Sequence, residues 1–363
     1  MQIRLVIGEQ DTRYLDRLIT YLESKHGDQL EIVSFTQSEL CIQYLNENMA
    51  DLILVDENFG IDLSMVKKYG TTACLAEVLG SQETDSVRYI EKYKKPDLIF
   101  KDILDVYAEC GGKGVEKNRI KNGNCQTILV TGFSGGTGAS TFAAALARAM
   151  AETGEKTLYL NLERTGSSRD YFAGPGNYSF QDIIFALKSK RADVGLKMES
   201  CVRQDSSGVW FFEPCDTAMY MLELNKDEMI RVITELQHGE SYRYIIVDFD
   251  FVLGPECVEF MEMMDRIILI NDGTEPANTH FTRTYQALLT LEEQMKICVS
   301  QRMALVYNRF SSSRSSRRLE SVNMPVLGVI PPVKHAVVKE IIEIMLTKKE
   351  VFSIFKQEER FHE

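Results

Sequence analysis

Short apolar runs alternate with amphipathic segments along the first hundred residues of the chain. Runs such as IRLVI, LEIVSFT and DLILVD are β-rich, whereas RYLDRLITYLESKH and SELCIQYLNEN carry apolar residues at helical spacing. Such alternation is typical of a parallel sheet with helices on both faces. We therefore predict a small α/β domain over residues 1–109, with DLIFK among its strands.

A second α/β pattern begins after a segment without periodicity. Residues 110–124 read CGGKGVEKNRIKNGN and are the best linker candidate. Beyond them the chain reads as strand QTILVTG, a helix from about Ala139, and strands TLYLNLE, YRYIIVDFD, RIILIND, RMALVYNRF and VLGVI. Helix HFTRTYQALLTLEEQMK precedes the run RMALVYNRF, and a closing helix starts at Val337. Short β-rich runs are typical of buried parallel strands, so residues 125–363 should form a second, mostly parallel α/β domain.

The C-terminal run VVKEIIEIMLTKKEVFSIFK has apolar residues at helical spacing with lysines between them. This pattern fits a helix that lies on a membrane surface, and it also fits a closing helix packed on the sheet. We expect the second arrangement, because the run follows directly on the last strand.

Charge and cysteine usage narrow the functional classes. The 363-residue chain has a formal net charge of -12, which disfavours nucleic-acid binding because phosphates need a basic face. Its eight cysteines are scattered without a C-x-x-C pair and are expected to be reduced thiols. The N-terminus lacks a secretory signal, and no apolar run reaches the roughly 20 residues that span a bilayer. A cytoplasmic protein is therefore expected.

The stretch VTGFSGGTGASTFAAALARAM, residues 130–150, places a glycine-rich loop between a strand and a helix. Glycine permits a positive φ and close approach of a ligand, and N–H groups at a helix start attract phosphate. Ser140 then stands where a hydroxyl would bind Mg²⁺, and Thr141 where one would reach the α-phosphate. Asp248 ends the strand YIIVD. A carboxylate at the end of a buried strand fits the role of holding a Mg²⁺-bound water. The glycines alone would equally suit an ordinary tight turn.

Five segments together resemble the MinD/ParA family of deviant Walker-A ATPases. The loop lines up with K-G-G-x-G-K-[ST]-T, LYLNLE with switch I, YIIVDFDFVLGPEC with switch II, LVYNRF with the adenine-contacting strand, and VLGVIPP with the strand before the closing helix. The resemblance implies a SIMIBI-type P-loop NTPase domain that binds ATP and Mg²⁺. The sites it implies are the phosphate loop (Ser134, Gly135, Gly136, Thr137, Gly138, Ala139, Ser140, Thr141), the Mg²⁺ residues (Ser140, Asp248), the adenine residues (Asn308, Pro331, Pro332) and switch I (Asn161, Glu163).

Both lysines of that family pattern are absent. Ser134 replaces the lysine that crosses the dimer interface, and Ala139 replaces the P-loop lysine. Each lysine would stabilise the charge of phosphoryl transfer, so hydrolysis should suffer far more than binding. We expect at most a very slow ATPase. Arg164, Arg169 or Arg309 could restore some charge, and the sequence does not choose among them.

The first domain resembles a response-regulator receiver, which has a flavodoxin-like fold. In that resemblance Asp56 is the phosphoacceptor at the end of DLILVD, and Lys101 is the strand-five lysine at the end of DLIFK. The corner after the first strand, where a receiver binds Mg²⁺, reads GEQ and supplies Glu9 but lacks a second carboxylate. An incomplete metal corner neutralises the charge of acyl-phosphate formation poorly. The domain is therefore either phosphorylated at Asp56 or kept as an interaction platform.

A degenerate receiver followed by a deviant MinD-like domain is similar to the TadZ/CpaE pilus-assembly family. This resemblance covers essentially the whole chain and implies an ATP-binding localisation or assembly factor of a tight-adherence (Flp-type) pilus secretion system. It implies a homodimer that works with the secretion machinery at a cell pole or the inner face of the membrane. The protein would associate with the membrane only through partner proteins. The alternative is a cycling ParA- or MinD-type positioning ATPase. That class needs both lysines, and a DNA-partitioning member also needs a basic face. Only the run RSSRR indicates such a face in this sequence.

Overall fold

The computed structural model describes residues 2–77, 88–109, 125–189, 193–238, 242–311, 315–320 and 322–353. The predicted linker, residues 110–124, lies outside the described residues. By their contacts the described residues form two units. One takes those within the bounds Met1–Asn118, Gly176–Tyr178 and Asp182–Cys201, and the other takes those within Arg119–Pro175, Ser179–Gln181 and Val202–Glu363. Each unit is α/β with a wholly or mostly parallel sheet, as predicted.

The described elements follow in chain order. They are β1 (Ile3–Gly8), α1 (Thr12–His26), β2 (Leu30–Phe35), α2 (Ser38–Glu47), β3 (Leu52–Asp56), α3 (Leu63–Val66), β4 (Thr71–Ala76), β5 (Arg88–Glu91), α4 (Pro96–Glu109), β6 (Gln126–Thr131), α5 (Ala139–Ala151), β7 (Thr157–Asn161), α6 (Phe180–Lys188), α7 (Val194–Cys201), β8 (Val202–Gln204), β9 (Trp210–Phe212), α8 (Met219–Leu222), α9 (Lys226–His238), β10 (Tyr244–Asp248), α10 (Pro255–Glu262), β11 (Arg266–Asn271), α11 (Glu275–Met295), β12 (Met303–Tyr307), β13 (Val326–Val329), α12 (Val338–Leu346) and α13 (Lys349–Ser353). Single 3₁₀ turns lie at Lys67–Tyr69, Ser168–Asp170 and Ser300–Arg302.

The sheet of the first unit has the order β2-β1-β3-β4-β5, and each neighbouring pair is parallel. Helix α1 covers it with a buried leucine face of Leu15, Leu18 and Leu22, as its amphipathic pattern predicts. Because β1 and β3 are adjacent and parallel, their carboxyl ends lie side by side. This topology brings Glu9 next to Asp56.

The prediction of a strand at DLIFK is wrong. These residues lie in helix α4, and Lys101 is within that helix rather than at the end of a strand. Ile99, Ile103 and Val106 are buried at helical spacing, and Pro96 opens the helix, a position that proline suits because its missing N–H is not needed there. The last described strand of this sheet is the short β5, and Lys92 follows it directly.

Helix α7 belongs to the first unit although it follows β7 in the sequence. It packs on α4, where Lys197 pairs with Asp105 and its Nζ lies 3.2 Å from Glu109 Oε1. Burial disfavours the charge of Lys197, but the two carboxylates outweigh burial, and the pKa of Lys197 is raised. The sequence does not predict that α7 packs in the first unit. This packing depends on the contact of the buried Lys197 with two carboxylates that are distant from it in sequence.

The sheet of the second unit has the order β13-β12-β11-β6-β10-β7-β9-β8 and is parallel except between β8 and β9. Strand β6 lies inside this sheet, and α5 follows it with an alanine-rich buried face. Helix α12 packs on α5, with Ile342 and Met345 in the same buried cluster as Phe142. The predicted closing helix is thus confirmed. Among the described residues, no helix combines the length and apolar character that crossing a bilayer requires.

Candidate functional site

The glycine-rich loop joins β6 to the start of α5. Gly136 and Gly138 have φ values of 74° and 85°, in the left-handed region that disfavours side chains with a Cβ. A Cβ built at Gly135 or Gly136 would meet no described atom within 4 Å, so this part of the loop borders open space. An open glycine loop at a helix N-terminus is the arrangement that binds phosphate.

Aromatic packing holds the base of the loop. Phe133 occupies the position of the first P-loop glycine and is buried. Its ring centroid lies 4.5 Å from that of Phe251 and 4.8 Å from that of Phe281. The first glycine is thus replaced by a hydrophobic anchor, which fixes the loop without filling its open side.

Asn308, the predicted adenine residue, is buried against the loop. Its side-chain amide donates a hydrogen bond to the carbonyl oxygen of Thr137 at 2.8 Å. Two residues further on, the Phe310 N–H donates to the carbonyl of Ile330, which precedes Pro331, at 3.0 Å. Pro331 and Pro332 are exposed. The structure therefore places Asn308 against the loop, and the contact of Asn308, Pro331 and Pro332 with adenine stays a prediction.

A serine and two carboxylates form the other side of the site. Ser140 Oγ donates to Glu163 Oε1 at 2.8 Å. Asp248 is buried at the end of β10, and its Oδ2 accepts from the Tyr159 hydroxyl at 2.7 Å and from Asn161 Nδ2 at 3.4 Å. Asn161 and Asp248 are register partners on neighbouring parallel strands, so the sheet itself sets their proximity.

This carboxylate pair fits a divalent cation. Asp248 Oδ1 is buried and accepts no hydrogen bond from the described residues. Burial raises the pKa of Asp248 well above its ordinary value, and the nearby Glu163 carboxylate raises it further. Burial also raises the pKa of Glu163. Mg²⁺ is commonly held by one or two carboxylates together with phosphate oxygens, so Ser140, Asp248 and Glu163 suit Mg²⁺ delivered with a nucleotide.

Ser134, another predicted phosphate residue, has a partner of its own. Its Oγ lies 3.4 Å from His280 Nδ1. The loop from Ser134 to Thr141 thus shares one edge of the sheet with Asp248 and the switch I pair. The binding role of each residue stays a prediction.

The receiver-like pocket contains Lys92, which the sequence did not predict, and the place of Lys101 in this pocket stays a prediction. Lys92 Nζ lies 2.7 Å from Glu9 Oε2 and 2.9 Å from Asp56 Oδ2, and all three side chains are buried. Burial disfavours the charge of Lys92, but the two carboxylates outweigh it and raise the pKa of Lys92. The sequence signal for Lys92 is its place directly after the short strand RYIE.

The missing carboxylate of the receiver corner has a steric counterpart. A Cβ on Gly8 would lie 2.5 Å from Cε1 of Phe59, whose ring is fully buried. Phe59 therefore fills the space that an acidic side chain at position 8 would occupy. The corner is packed with an aromatic ring, while Lys92 neutralises the carboxylates that remain.

Comparison with known families agrees with both halves of this description. A family model described as TadZ-like, receiver domain, matches residues 1–108, and one described as CobQ/CobB/MinD/ParA nucleotide binding domain matches residues 128–341. The chain belongs to the CobQ/CobB/MinD/ParA family. Its receiver domain followed by the nucleotide-binding domain is the TadZ/CpaE architecture, so the family resemblance and the fold class predicted from the sequence are confirmed.

Several solved structures resemble this chain at low identity. MinD complexed with Mg-ADP from Pyrococcus horikoshii is 20% identical with a TM-score of 0.49, covering 64% of this chain and 93% of that one. The MinC:MinD complex from Aquifex aeolicus is 16% identical with a TM-score of 0.49, covering 64% of this chain and 96% of that one. A ParA family ATPase from Chlorobium tepidum is 20% identical with a TM-score of 0.47, covering 64% of this chain and 93% of that one. These likenesses assign no ligand or residue role to this chain. No curated protein matches it.

Proposed function

We propose that this protein is an ATP-binding localisation or assembly factor of a tight-adherence (Flp-type) pilus secretion system. It acts as a nucleotide-stabilised homodimeric scaffold. The observation that carries the proposed nucleotide binding is the open glycine loop together with Asp248, whose buried Oδ1 accepts no hydrogen bond from the described residues. The pilus part is supported by the TadZ-like receiver domain that precedes the nucleotide-binding domain.

In this proposal the N–H groups of the loop bind the phosphates of ATP, and Ser140 with Asp248 binds Mg²⁺. Asn308 and the prolines at 331 and 332 border the adenine. The glycine loop and the dipole of α5 attract an anion without any lysine, so binding survives the two replacements. Hydrolysis is weak or absent, because neither Ser134 nor Ala139 can stabilise the charge of the transition state.

The first domain, residues 1–109, serves as an interaction platform joined through 110–124 to the ATP-binding domain, 125–363. The filled corner at Gly8 and the buried Lys92 support this role over phosphorylation of Asp56. The protein works in the cytoplasm, at a cell pole or the inner face of the membrane, and reaches the membrane through pilus secretion proteins. Its net charge of -12 supports partners other than nucleic acid.

Sedimentation of the full chain tests the scaffold. The protein is run without nucleotide, with MgADP and with MgATP. A scaffold is a dimer in both nucleotides, because a serine at position 134 cannot reach across to the γ-phosphate of a partner subunit. A monomer in MgADP that dimerises only in MgATP supports the cycling ParA- or MinD-type alternative, since a switch needs a ligand that discriminates strongly between its states.

The pilus role is tested in the host cell. Deletion of the gene should abolish pilus assembly, and the wild-type chain should restore it. An Asp248→Asn chain, which keeps the shape of the site but alters the metal ligand, should restore assembly poorly. Normal piliation after deletion would overturn this part of the proposal.

A further inference from the structure

We infer that Arg309 supplies a cation for nucleotide binding at the phosphate loop, which lacks the two family lysines. Its guanidinium binds the β- and γ-phosphates of the bound nucleotide and does not replace the lysines in hydrolysis. This inference rests on the proposed ATP binding and assigns it a residue outside the loop. Arg309 comes from the turn after β12, about 170 residues from the loop in sequence.

The side chain of Arg309 reaches the loop directly. Its Nη1 donates a hydrogen bond to the carbonyl oxygen of Gly136 at 2.9 Å. Its Nη2 lies 3.6 Å from the position that a Cβ on Gly138 would occupy. The guanidinium is therefore next to both left-handed glycines, where the loop would curve around a phosphate.

The backbone holds Arg309 in an unusual conformation. Its φ is 56°, a left-handed value that is uncommon for residues other than glycine and asparagine. The flanking residues fix this turn: the Asn308 N–H donates to the carbonyl of Asn271 at 2.8 Å, and the Phe310 N–H donates to that of Ile330 at 3.0 Å. A strained residue that is held from both sides beside a ligand loop is typical of a functional position.

The other two arginines that the sequence offers are engaged differently. Arg169 pairs through Nε with the buried Glu213, which also accepts from Arg203 Nη1 at 2.6 Å. Arg164 is exposed, and the hydrogen bond it makes to Asp250 at 2.8 Å comes from its backbone N–H. Of the three candidates, Arg309 is the one whose side chain contacts the loop within the described residues.

The chemistry of arginine suits the role. A guanidinium has five N–H donors in a planar fork and stays charged at every physiological pH, so one donor can remain on the Gly136 carbonyl while others bind phosphate oxygens. Arg309 is exposed and accessible to a ligand. Because this cation belongs to the same chain as the loop, phosphate binding does not need a partner subunit. ATP and ADP binding can then proceed without dimerisation.

The test measures the affinity of the full chain for MgATP, MgADP and adenosine by calorimetry. The variants are Arg309→Ala, Arg309→Lys and Arg309→Gln. Loss of a charge-assisted phosphate contact should weaken MgATP and MgADP binding by about 10- to 100-fold and leave adenosine binding unchanged. Lysine should recover part of the loss, whereas glutamine, which can donate to the Gly136 carbonyl but has no charge, should not.

Arg283→Ala is the matched control, because Arg283 is an exposed arginine on α11. It should bind MgATP as the wild type does. MgATP affinity in Arg309→Ala within about twofold of the wild type overturns the inference, and so does equal rescue by glutamine and lysine, which would mean that Arg309 only supports the loop. If the wild type itself binds no MgATP, the proposed function fails instead, and the two failures are distinguishable.

Discussion

The Ser140 hydroxyl donates a hydrogen bond to the Glu163 carboxylate at 2.8 Å, and this bond connects the first turn of α5 to switch I. Ser140 lies near the end of the phosphate loop that follows β6, and Glu163 follows β7, so the hydrogen bond links the segments that come after these two strands. Burial and the Asp250 carboxylate raise the pKa of Glu163. The site thus holds more negative charge than it stabilises by itself, and Mg²⁺ with a nucleotide would relieve this.

The substitution Glu163→Gln should act in opposite directions with and without ligand. Without metal it removes one of two crowded carboxylates, so the melting temperature should rise. With MgATP it removes a negative partner of Mg²⁺, so the increase in melting temperature on adding ligand should shrink. Thermal melts of both proteins, each with and without MgATP, measure the two effects.

Glu152→Gln, an exposed substitution at the end of α5, is the control and should leave both melting temperatures within about 1 °C. A Glu163→Gln protein that is less stable without metal and equally stabilised by MgATP would contradict a metal-binding role for this carboxylate.

The raised pKa values of Glu163 and Asp248 also predict a pH dependence. A raised pKa means that the folded state prefers the protonated acid. The contribution of these two carboxyls to folding stability is therefore complete below the ordinary carboxyl pKa of about 4. That contribution is lost as the pH rises through the raised pKa of the folded state. In metal-free buffer, the excess stability of Glu163→Gln over the wild type should therefore grow with pH above about 4. Urea unfolding of both proteins across this range measures it, and a constant difference would count against the pKa assignment.

Lys92 should be important for the stability of the first unit. Lys92→Met leaves Glu9 and Asp56 buried without their cation, and breaking a buried ion pair in this way costs about 3–5 kcal/mol of unfolding free energy. Urea unfolding of the full chain at neutral pH measures the loss. Lys25→Met, at an exposed position on α1, should change it by about 0.5 kcal/mol or less.

A second substitution shows whether charge causes the loss. Glu9→Gln in the Lys92→Met background removes one of the stranded carboxylates and should recover part of the stability. No recovery would mean that Lys92 acts through packing of its aliphatic stem rather than through its charge.

ATP hydrolysis should be far slower than about 1 s⁻¹, a rate that is ordinary for enzymes. Phosphate release from saturating MgATP measures the rate. Asp248→Asn serves as the control for contaminating ATPases, since any activity that it retains does not come from this site. A wild-type rate of about 1 s⁻¹ or more that Asp248→Asn abolishes would show that another residue replaces the lysines in catalysis.

Local patterns predicted most of the fold. The run YIIVD predicted β10, and the strand–glycine–helix order predicted the loop before α5, because strand and turn signals are contained in a few adjacent residues. The common site of Ser140 and Asp248 was implied by the family pattern, not by local signals. The sheet does make β6, which precedes Ser140, a parallel neighbour of β10, which ends at Asp248. The Mg²⁺ role of these two residues stays a prediction.

The features of the two sites that the sequence did not predict depend on tertiary contacts. Lys92 was passed over because its strand, Arg88–Glu91, is only four residues long, whereas the apolar run that contains Lys101 turned out to be helical. Glu163 was recognised as a switch I position, but its bond to Ser140 depends on the exact approach of two loops. Arg309 was one of three candidates until its left-handed turn showed where its side chain reaches.

Calorimetric titration of nucleotide-free full chain with MgATP tests the central claim most directly. The account predicts one site per chain with a Kd of about 10 µM or tighter, equivalent to roughly 7 kcal/mol of binding free energy or more. It also predicts that EDTA weakens binding, because Asp248 and Ser140 act through the metal. No detectable heat or saturation at millimolar MgATP would show that the glycine loop is a structural turn, and the ATP-dependent scaffold would have to be abandoned.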